Sequence, residues 1–181
     1  MNIRRITLFP LRIPLIEPFV ISLGPLTHAE NVVLRMETDD GYTGWGECSP
    51  FRTIHGETIQ TCLSIGTELA RQVIDAKPEN PESLLAVMDR SIYGNSSIKS
   101  AFDIAFHDLL AQQKDLPLYR LFSGASNRPL FTDYTISISS MEKMKADARS
   151  IVAKGFPVIK VKLGGHPMED IERMRAIRNE V

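Results

Sequence analysis

Hydrophobic and polar positions follow two different periods along this chain, and the change of period divides it. Residues 3–15 mix β-branched and apolar residues with Arg4, Arg5 and Arg12. Pro10 and Pro14 place this run at a sheet edge or at a strand end, because proline has no N–H to donate to a ladder. Pro18, Gly24 and Pro25 make residues 16–28 read as a loop. The runs 31–37 and 42–47 flank Asp39-Asp40-Gly41. Asp-Gly between two strand-like runs is a hairpin signal, since glycine tolerates positive φ. The first fifty residues therefore predict a three-stranded antiparallel sheet.

The period then lengthens to that of helices. Cys62, Ile65, Leu69 and Val73 recur at helical spacing, and Ile98, Phe102, Ala105 and Leu109 repeat the stripe. Between them, Asn80 followed by Pro81 supplies an N-cap and a first-turn proline for a helix whose expected inward face is Leu84, Leu85, Met88 and Ile92. Leu116-Pro117-Leu118-Tyr119 closes this α+β unit, and the stretch from Ser123 to Asn127 punctuates the chain. A boundary near residue 126 divides the chain into domains 1–125 and 126–181.

Beyond that point strand and helix alternate. Residues 133–138 and 158–163 read as strands. Ser139 and Glu142 form a capping box for a helix with Met144, Ala148 and Ile151 inward and Gly155 as its stop. Glu169 and Asp170 begin a last helix with Ile171, Met174 and Ile177 on one face. This β-α-β-α order is the unit of a parallel sheet or a (β/α) barrel. Two strands do not make a parallel sheet covered on both faces, so the sequence reads as cut, with the barrel incomplete.

Composition narrows the class of partner. The chain has 181 residues, 43% hydrophobic and 24% charged, which excludes a disordered or fibrous reading. Its 21 Lys and Arg against 22 Asp and Glu leave a net charge of −1. No sequence-independent pull toward nucleic acid or anionic membrane follows, and a small-molecule partner is favoured. Cys48 and Cys62 lack metal-ligand spacing, and no signal peptide or long apolar run is present, so a cytoplasmic protein with reduced thiols is expected.

The candidate chemistry lies in the two later strands. Alternation sends Ile159, Val161 and Leu163 to one face and Val158, Lys160 and Lys162 to the other. In a βα unit the apolar face meets the helices, and the lysines point into the sheet interior or barrel lumen. Desolvation and mutual repulsion there disfavour the charged form, which is how a lysine becomes a general base. The competing reading is an exposed amphipathic strand with two solvated ammonium groups. The preceding strand aligns Asp133, Thr135 and Ser137, and Thr135 beside Lys160 offers a hydroxyl for a carboxylate or amide, unless it is there for β-propensity alone. Gly164-Gly165 reads as a tight strand-to-helix turn, since the fuller phosphate-binding patterns are missing. Glu47 and Asp103 are lone acids suited to a surface or helix N-terminal role or to a structural hydrogen bond. Phe19, Phe51 and Ile54 lie in apolar loops, as satellite-core contacts or facing a substrate.

With these residues in view, the chain resembles the enolase superfamily in its muconate-lactonizing branch, and most closely the dipeptide epimerases of the L-Ala-D/L-Glu type. The marks are Gly44-Trp45-Gly46-Glu47, Ala101-Phe102-Asp103-Ile104-Ala105 with Asp108-Leu109, Leu116-Pro117-Leu118-Tyr119, Thr132-Asp133-Tyr134-Thr135-Ile136, and the pair Lys160 and Lys162. The resemblance implies an α+β capping domain followed by the first two βα units of a (β/α) barrel. Two cap loops, 16–28 and 50–58, are expected to close over the barrel site. It further implies Mg²⁺ binding of a substrate carboxylate, removal of the adjacent α-proton, and its return with inverted configuration. Lys162 matches the acid/base on one face. Lys160 matches its neighbour that contacts substrate and tunes it, and Thr135 a substrate-binding position. The metal ligands and the opposing lysine are expected beyond residue 181, so this chain alone is expected to be inactive, and the complete enzyme to be a homo-oligomer.

The same resemblance bears on specificity. Where relatives acting on Ala-Glu carry an arginine for the glutamate side chain, this chain has Gly24, although Arg52 in the other loop offers a substitute charge. With Phe19, Phe51 and Ile54 in the closing loops, neutral or apolar dipeptides are expected. The alternatives are a related racemase or cycloisomerase of the branch, such as an N-acylamino acid racemase or succinylbenzoate synthase, and a non-catalytic binding fragment.

Overall fold

A computed structural model of the chain describes residues 2–125 and 129–181. The strands are β1 (Ile3–Ile21), β2 (Gly24–Thr38), β3 (Thr43–Cys48), β4 (Asp133–Ile136) and β5 (Val158–Val161). The helices are α1 (Arg52–His55), α2 (Ile59–Ala76), α3 (Pro81–Ser91), α4 (Ser96–Gln113), α5 (Leu118–Leu121), α6 (Met141–Ala153) and α7 (Pro167–Glu180). The chain divides into two compact units, one of Met1–Ile13 with Ala29–Ser126, the other of Pro14–His28 with Asn127–Val181. The boundary expected near residue 126 lies outside the described residues.

In the first unit β1, β2 and β3 form a sheet in that order, with β3 antiparallel to β2. Its register pairs Val32 with Cys48, Leu34 with Gly46 and Met36 with Gly44, so these six side-chain positions share one face. Val32, Leu34 and Met36 are fully buried there, together with Ile98, Phe102, Phe106 and Leu109 of α4. The glycines opposite them leave space that α4 fills. A Cβ added at Gly46 would stand 1.9 Å from the carbonyl oxygen of Ala101, and one at Gly44 would stand 2.2 Å from that of Ala105. The helix backbone thus rests directly on the strand. Asp108 Oδ2 accepts from the Trp45 N–H at 2.9 Å and Gln112 Nε2 donates to the Thr43 carbonyl at 2.8 Å, so side chains of α4 also satisfy backbone groups of β3. On the opposite face Trp45 lies near Phe9, with the Arg35 guanidinium 5.5 Å and 6.0 Å from the two ring centroids.

In the first unit the helical stripes hold with one exception. Cys62, Leu69, Val73, Leu84 and Met88 are buried, but Leu85 is exposed, because in α3 only one of two adjacent leucines can face the core. Asn80 caps α3 as expected, its side chain accepting from the Ser83 N–H at 2.8 Å.

Residues 16–28 are not a loop. β1 runs on to Ile21 and β2 begins at Gly24, leaving Ser22-Leu23 as the turn. The prolines are tolerated because β1 is an edge strand, and β2 pairs with β3 only over Val32–Glu37, well clear of Pro25. In the second unit β4 and β5 are parallel, with Thr135 opposite Lys160. Ile136, Met144, Ala148, Ile151 and Ile177 form its core, with Ile159 and Val161 packed against it. Ser140, not Ser139, caps α6, accepting from the Lys143 N–H, and Gly155 follows α6 in the left-handed region at φ 85°. Of Ile171, Met174 and Ile177, read as one face of α7, only Ile177 is buried in the core; Ile171 and Met174 are exposed.

Gly46→Ala forces a methyl into the Ala101 carbonyl, and the helix must lift. We expect a loss of about 3 kcal/mol, at the upper end for overpacking, read as a lower urea midpoint from the fluorescence of Trp45, the only tryptophan in the sequence. An unchanged midpoint would contradict the close approach of α4 to β3.

Candidate active site

Strand alternation places Lys160 and Lys162 on the face of β5 opposite the one that Ile159 and Val161 turn to the helices. Lys160 is exposed and stands in register with the half-buried Thr135 on β4, while Lys162, one residue past the strand end, is half-buried. The lysines therefore share a face, but burial reaches only Lys162. The Lys162 backbone N–H donates to the Ile136 carbonyl at 2.9 Å, continuing the ladder and fixing where its side chain leaves the sheet.

The tip of the β1–β2 hairpin packs within the same unit. Phe19 lies with its ring centroid 6.0 Å from Lys162 Nζ. The Ile138 N–H donates to the Val20 carbonyl at 3.1 Å. Glu17 and Asp147 both pair with Lys143, at 3.2 Å and 3.1 Å, and these hydrogen bonds, Asp147 first, raise the Lys143 ammonium above its ordinary value. Gly24 closes the turn at φ 115°, with nothing within 4 Å of where its Cβ would stand. The structure thus brings together Lys160, Lys162, Thr135 and Phe19, with Gly24 at the tip of the same hairpin. Phe51 and Ile54 belong to the first unit, where α1 occupies part of the expected loop 50–58; Phe51 is half-buried and Ile54 is 71% exposed.

The turn Gly164-Gly165 does not present a free amide to an anion. The Gly164 N–H donates to Asp170 Oδ2 at 3.0 Å, and Arg173 Nη1 holds Oδ1 at 2.7 Å. Desolvation pushes the Asp170 carboxyl up, but the hydrogen bonds from Arg173 and Gly164 outweigh it and hold the group below the usual carboxylate range.

Three polar roles escaped the sequence. Glu57 is 4% exposed, accepting from the Ser97 N–H at 2.8 Å and the Ile98 N–H at 3.1 Å at the start of α4, and from Cys62 Sγ at 3.4 Å. It ends the segment that carries Phe51 and Ile54, so it anchors the base of that segment to α4. Its partners lie forty and more residues on, and no local period announces them. Lys143 is the second, a pairing between a hairpin and a distant helix. Lys99, 8% exposed, donates to Asp89 and to the Ile92 carbonyl and ties α4 to α3. Of the lone acids, Glu47 accepts from Asn31 Nδ2, whereas Asp103 Oδ1 is buried without a hydrogen-bond partner among the described residues, because His107 Nδ1, 3.3 Å away, bonds the Asp103 backbone carbonyl at 2.9 Å. Both cysteines are free and buried, and burial pushes both thiols up, which disfavours the reactive thiolate.

Among the described residues no group of three or more His, Cys, Asp or Glu is arranged to hold a metal ion, so these residues do not by themselves fit a Mg²⁺ centre. Nor is any described helix long and apolar enough to cross a membrane.

The α+β layer, and the parallel βα units that follow it in the chain, are the capping domain and incomplete barrel of an enolase-type protein. The chain belongs to the mandelate racemase / muconate lactonizing enzyme family, whose N-terminal domain matches residues 3–123. It is 49% identical to a D-Ala-D/L-Ala epimerase of Cytophaga hutchinsonii, over 98% of this chain and 48% of the relative. It is 35% identical to an L-Ala-D/L-Glu epimerase of Clostridium acetobutylicum, over 100% of this chain and 51% of the relative. Among solved structures, a dipeptide epimerase from Cytophaga hutchinsonii in complex with Mg and D-Ala-L-Val superposes with a TM-score of 0.96 at 48% identity, covering 100% of this chain and 49% of that one. The chain spans about half the length of the curated relatives it matches.

Acid should weaken both units together. Hydrogen bonding from Arg5 lowers Glu37, the bonds to Arg173 and Gly164 lower Asp170 against desolvation, and Arg149 with Lys145 lowers Glu180. A carboxylate lowered in the folded state contributes stability that is complete above its unfolded value, about 4, and is lost as pH falls through the folded value. Urea midpoints are therefore expected to be flat from neutral pH to about 5 and to fall below about 4. A midpoint that rises on acidification would reverse the sign assigned to these groups.

Proposed function

We propose that this chain is the N-terminal half of an enzyme that epimerises dipeptides, by removing and returning the proton α to a carboxylate, and that it favours neutral or apolar dipeptides. The observation that carries this reading is Lys162 on the inner face of the βα sheet, with Lys160 and Thr135 beside it and an aromatic hairpin tip over it. Lys162 takes or delivers the α-proton on one face of the substrate. Lys160, facing the same way two residues earlier, meets the substrate as a second cation. The Thr135 hydroxyl donates to the carboxylate or amide. When bound, a Mg²⁺ ion supplies positive charge for the carboxylate that becomes more electron-rich as the proton leaves. Its ligands are not among the described residues, and neither is the acid/base for the opposite face. Residues 1–125 serve as the capping domain and 126–181 as the barrel start, with the hairpin tip working on the barrel side. Free, buried thiols support a cytoplasmic location.

The preference for neutral or apolar side chains draws support from Gly24 in the hairpin, which has no side chain of its own to pair with a glutamate, and from the apolar ring of Phe19 in the same hairpin. It is supported too by the relative named for D-Ala-D/L-Ala and by the neighbour holding D-Ala-L-Val. The relative named for L-Ala-D/L-Glu keeps an acidic substrate as the second reading.

In the full-length protein, Lys162→Ala should lower epimerisation by at least about 10²-fold, the range of a general base, measured as solvent deuterium entering the α-carbon. Activity within about tenfold of the parent removes Lys162 from the mechanism. On a panel including Ala-Ala, Ala-Val and Ala-Glu, kcat/KM should be higher for the neutral pair. An unpaired buried carboxylate costs several kcal/mol, enough to reverse a preference. A clear preference for Ala-Glu overturns the specificity assignment while leaving the reaction class intact.

A further inference from the structure

The hairpin tip meets the residues after β4 and β5 by a backbone hydrogen bond and by a close approach at a glycine. Gly164, on the turn after β5, sits at φ 137°, a region side chains rarely enter. A Cβ at this position would stand 2.6 Å from Ser22 Cβ and 3.6 Å from Ser22 Cα. The neighbouring Gly165 differs: its added Cβ would meet first the flexible end of Arg173, at 3.1 Å. The Ile138 N–H bond to Val20 O and the Phe19 ring over Lys162 Nζ lie on the same tip.

We propose that Gly164 is a positioning residue for the lysine chemistry: by lacking a side chain it seats Ser22, and the seated tip holds Phe19 against the Lys162 ammonium. The inference rests on Lys162 being the acid/base. A lysine has a long, freely rotating stem, and a ring face attracts an ammonium within about 6 Å. Phe19 thereby narrows where Nζ can stand, and Gly164 acts through Phe19 without touching substrate. The device links closure of the hairpin to placement of the proton carrier: with the tip lifted, Lys162 is unrestrained.

The test uses the full-length protein and two spectroscopic signatures that need no substrate. Hydrogen exchange at the Ile138 amide reports the seated tip, and the ring-current shift on the Lys162 side-chain resonances reports Phe19. Gly164→Ala should speed Ile138 exchange by about tenfold or more and abolish the ring-current shift, while Gly165→Ala changes neither. Phe19→Leu should remove the ring-current shift and keep Ile138 protected. Backbone strain at φ 137° also disturbs Gly164→Ala. The double variant Gly164→Ala with Ser22→Gly separates the two causes, because it relieves the clash and leaves the strain. It should restore Ile138 protection and the Phe19 signature. If Gly164→Ala does not fold, Ser22→Val crowds the same contact from the hairpin side and should lose both signatures. Signatures that survive Gly164→Ala, or Ser22→Val in its place, overturn the proposal, as does failure of Ser22→Gly to restore them. An active Lys162→Ala enzyme with both signatures intact in the parent would instead overturn the catalytic reading.

Discussion

The approach of α4 to β3 is the contact on which the first unit depends. A helix normally stands off a sheet by the depth of its side chains, but here Gly44 and Gly46 face Ala101 and Ala105 and the helix backbone comes down onto the strand. That proximity lets Asp108 and Gln112 reach backbone groups of β3, and it buries Phe102, Phe106 and Leu109 against Leu34 and Met36. It also explains a sequence mark by geometry. In Gly44-Trp45-Gly46 the glycines make room inward while Trp45, pointing the other way, meets Phe9 and Arg35. The motif that carries the family resemblance in this region is a packing device, whereas the catalytic assignment rests on residues of the second unit.

The second unit concentrates the candidate chemistry by a different rule. Parallel pairing of β4 with β5 sets Thr135 opposite Lys160, and alternation sends the lysines away from the helices because Ile159 and Val161 pack against them. Neither residue needs a special backbone for this. What the strands cannot do alone is restrain a lysine, and that task falls to the hairpin tip, whose Phe19, Val20 and Ser22 reach Lys162, Ile138 and Gly164. The pairing of Glu17 with Lys143 and Asp147 adds an ionic contact to the same docking.

Much of the organisation was legible from local pattern. The Asp-Gly hairpin, the Asn80 cap, the stripe of Ile98, Phe102, Ala105 and Leu109, and the alternating strand with two lysines each depend on neighbours within a turn or a pleat. Prolines misled where their environment was not local. Pro18 and Pro25 read as loop signals, yet both sit in a long hairpin whose edges leave their missing N–H groups unneeded. Leu85 failed for a related reason: periodicity shows that a helix has an apolar side, and packing decides which residues of it are covered.

The sequence by itself determined the order of elements, the faces of the strands and the identity of the paired lysines, because helical and strand periods are written in residues a few positions apart. Only the tertiary structure decided which distant groups meet. Glu57 buries its carboxylate on the first amides of α4, Gly46 takes the Ala101 carbonyl where a Cβ would stand, and Gly164 receives Ser22 from a hairpin over a hundred and forty residues earlier. Each depends on the space between two backbones brought together by the whole fold, and no short-range pattern encodes that distance.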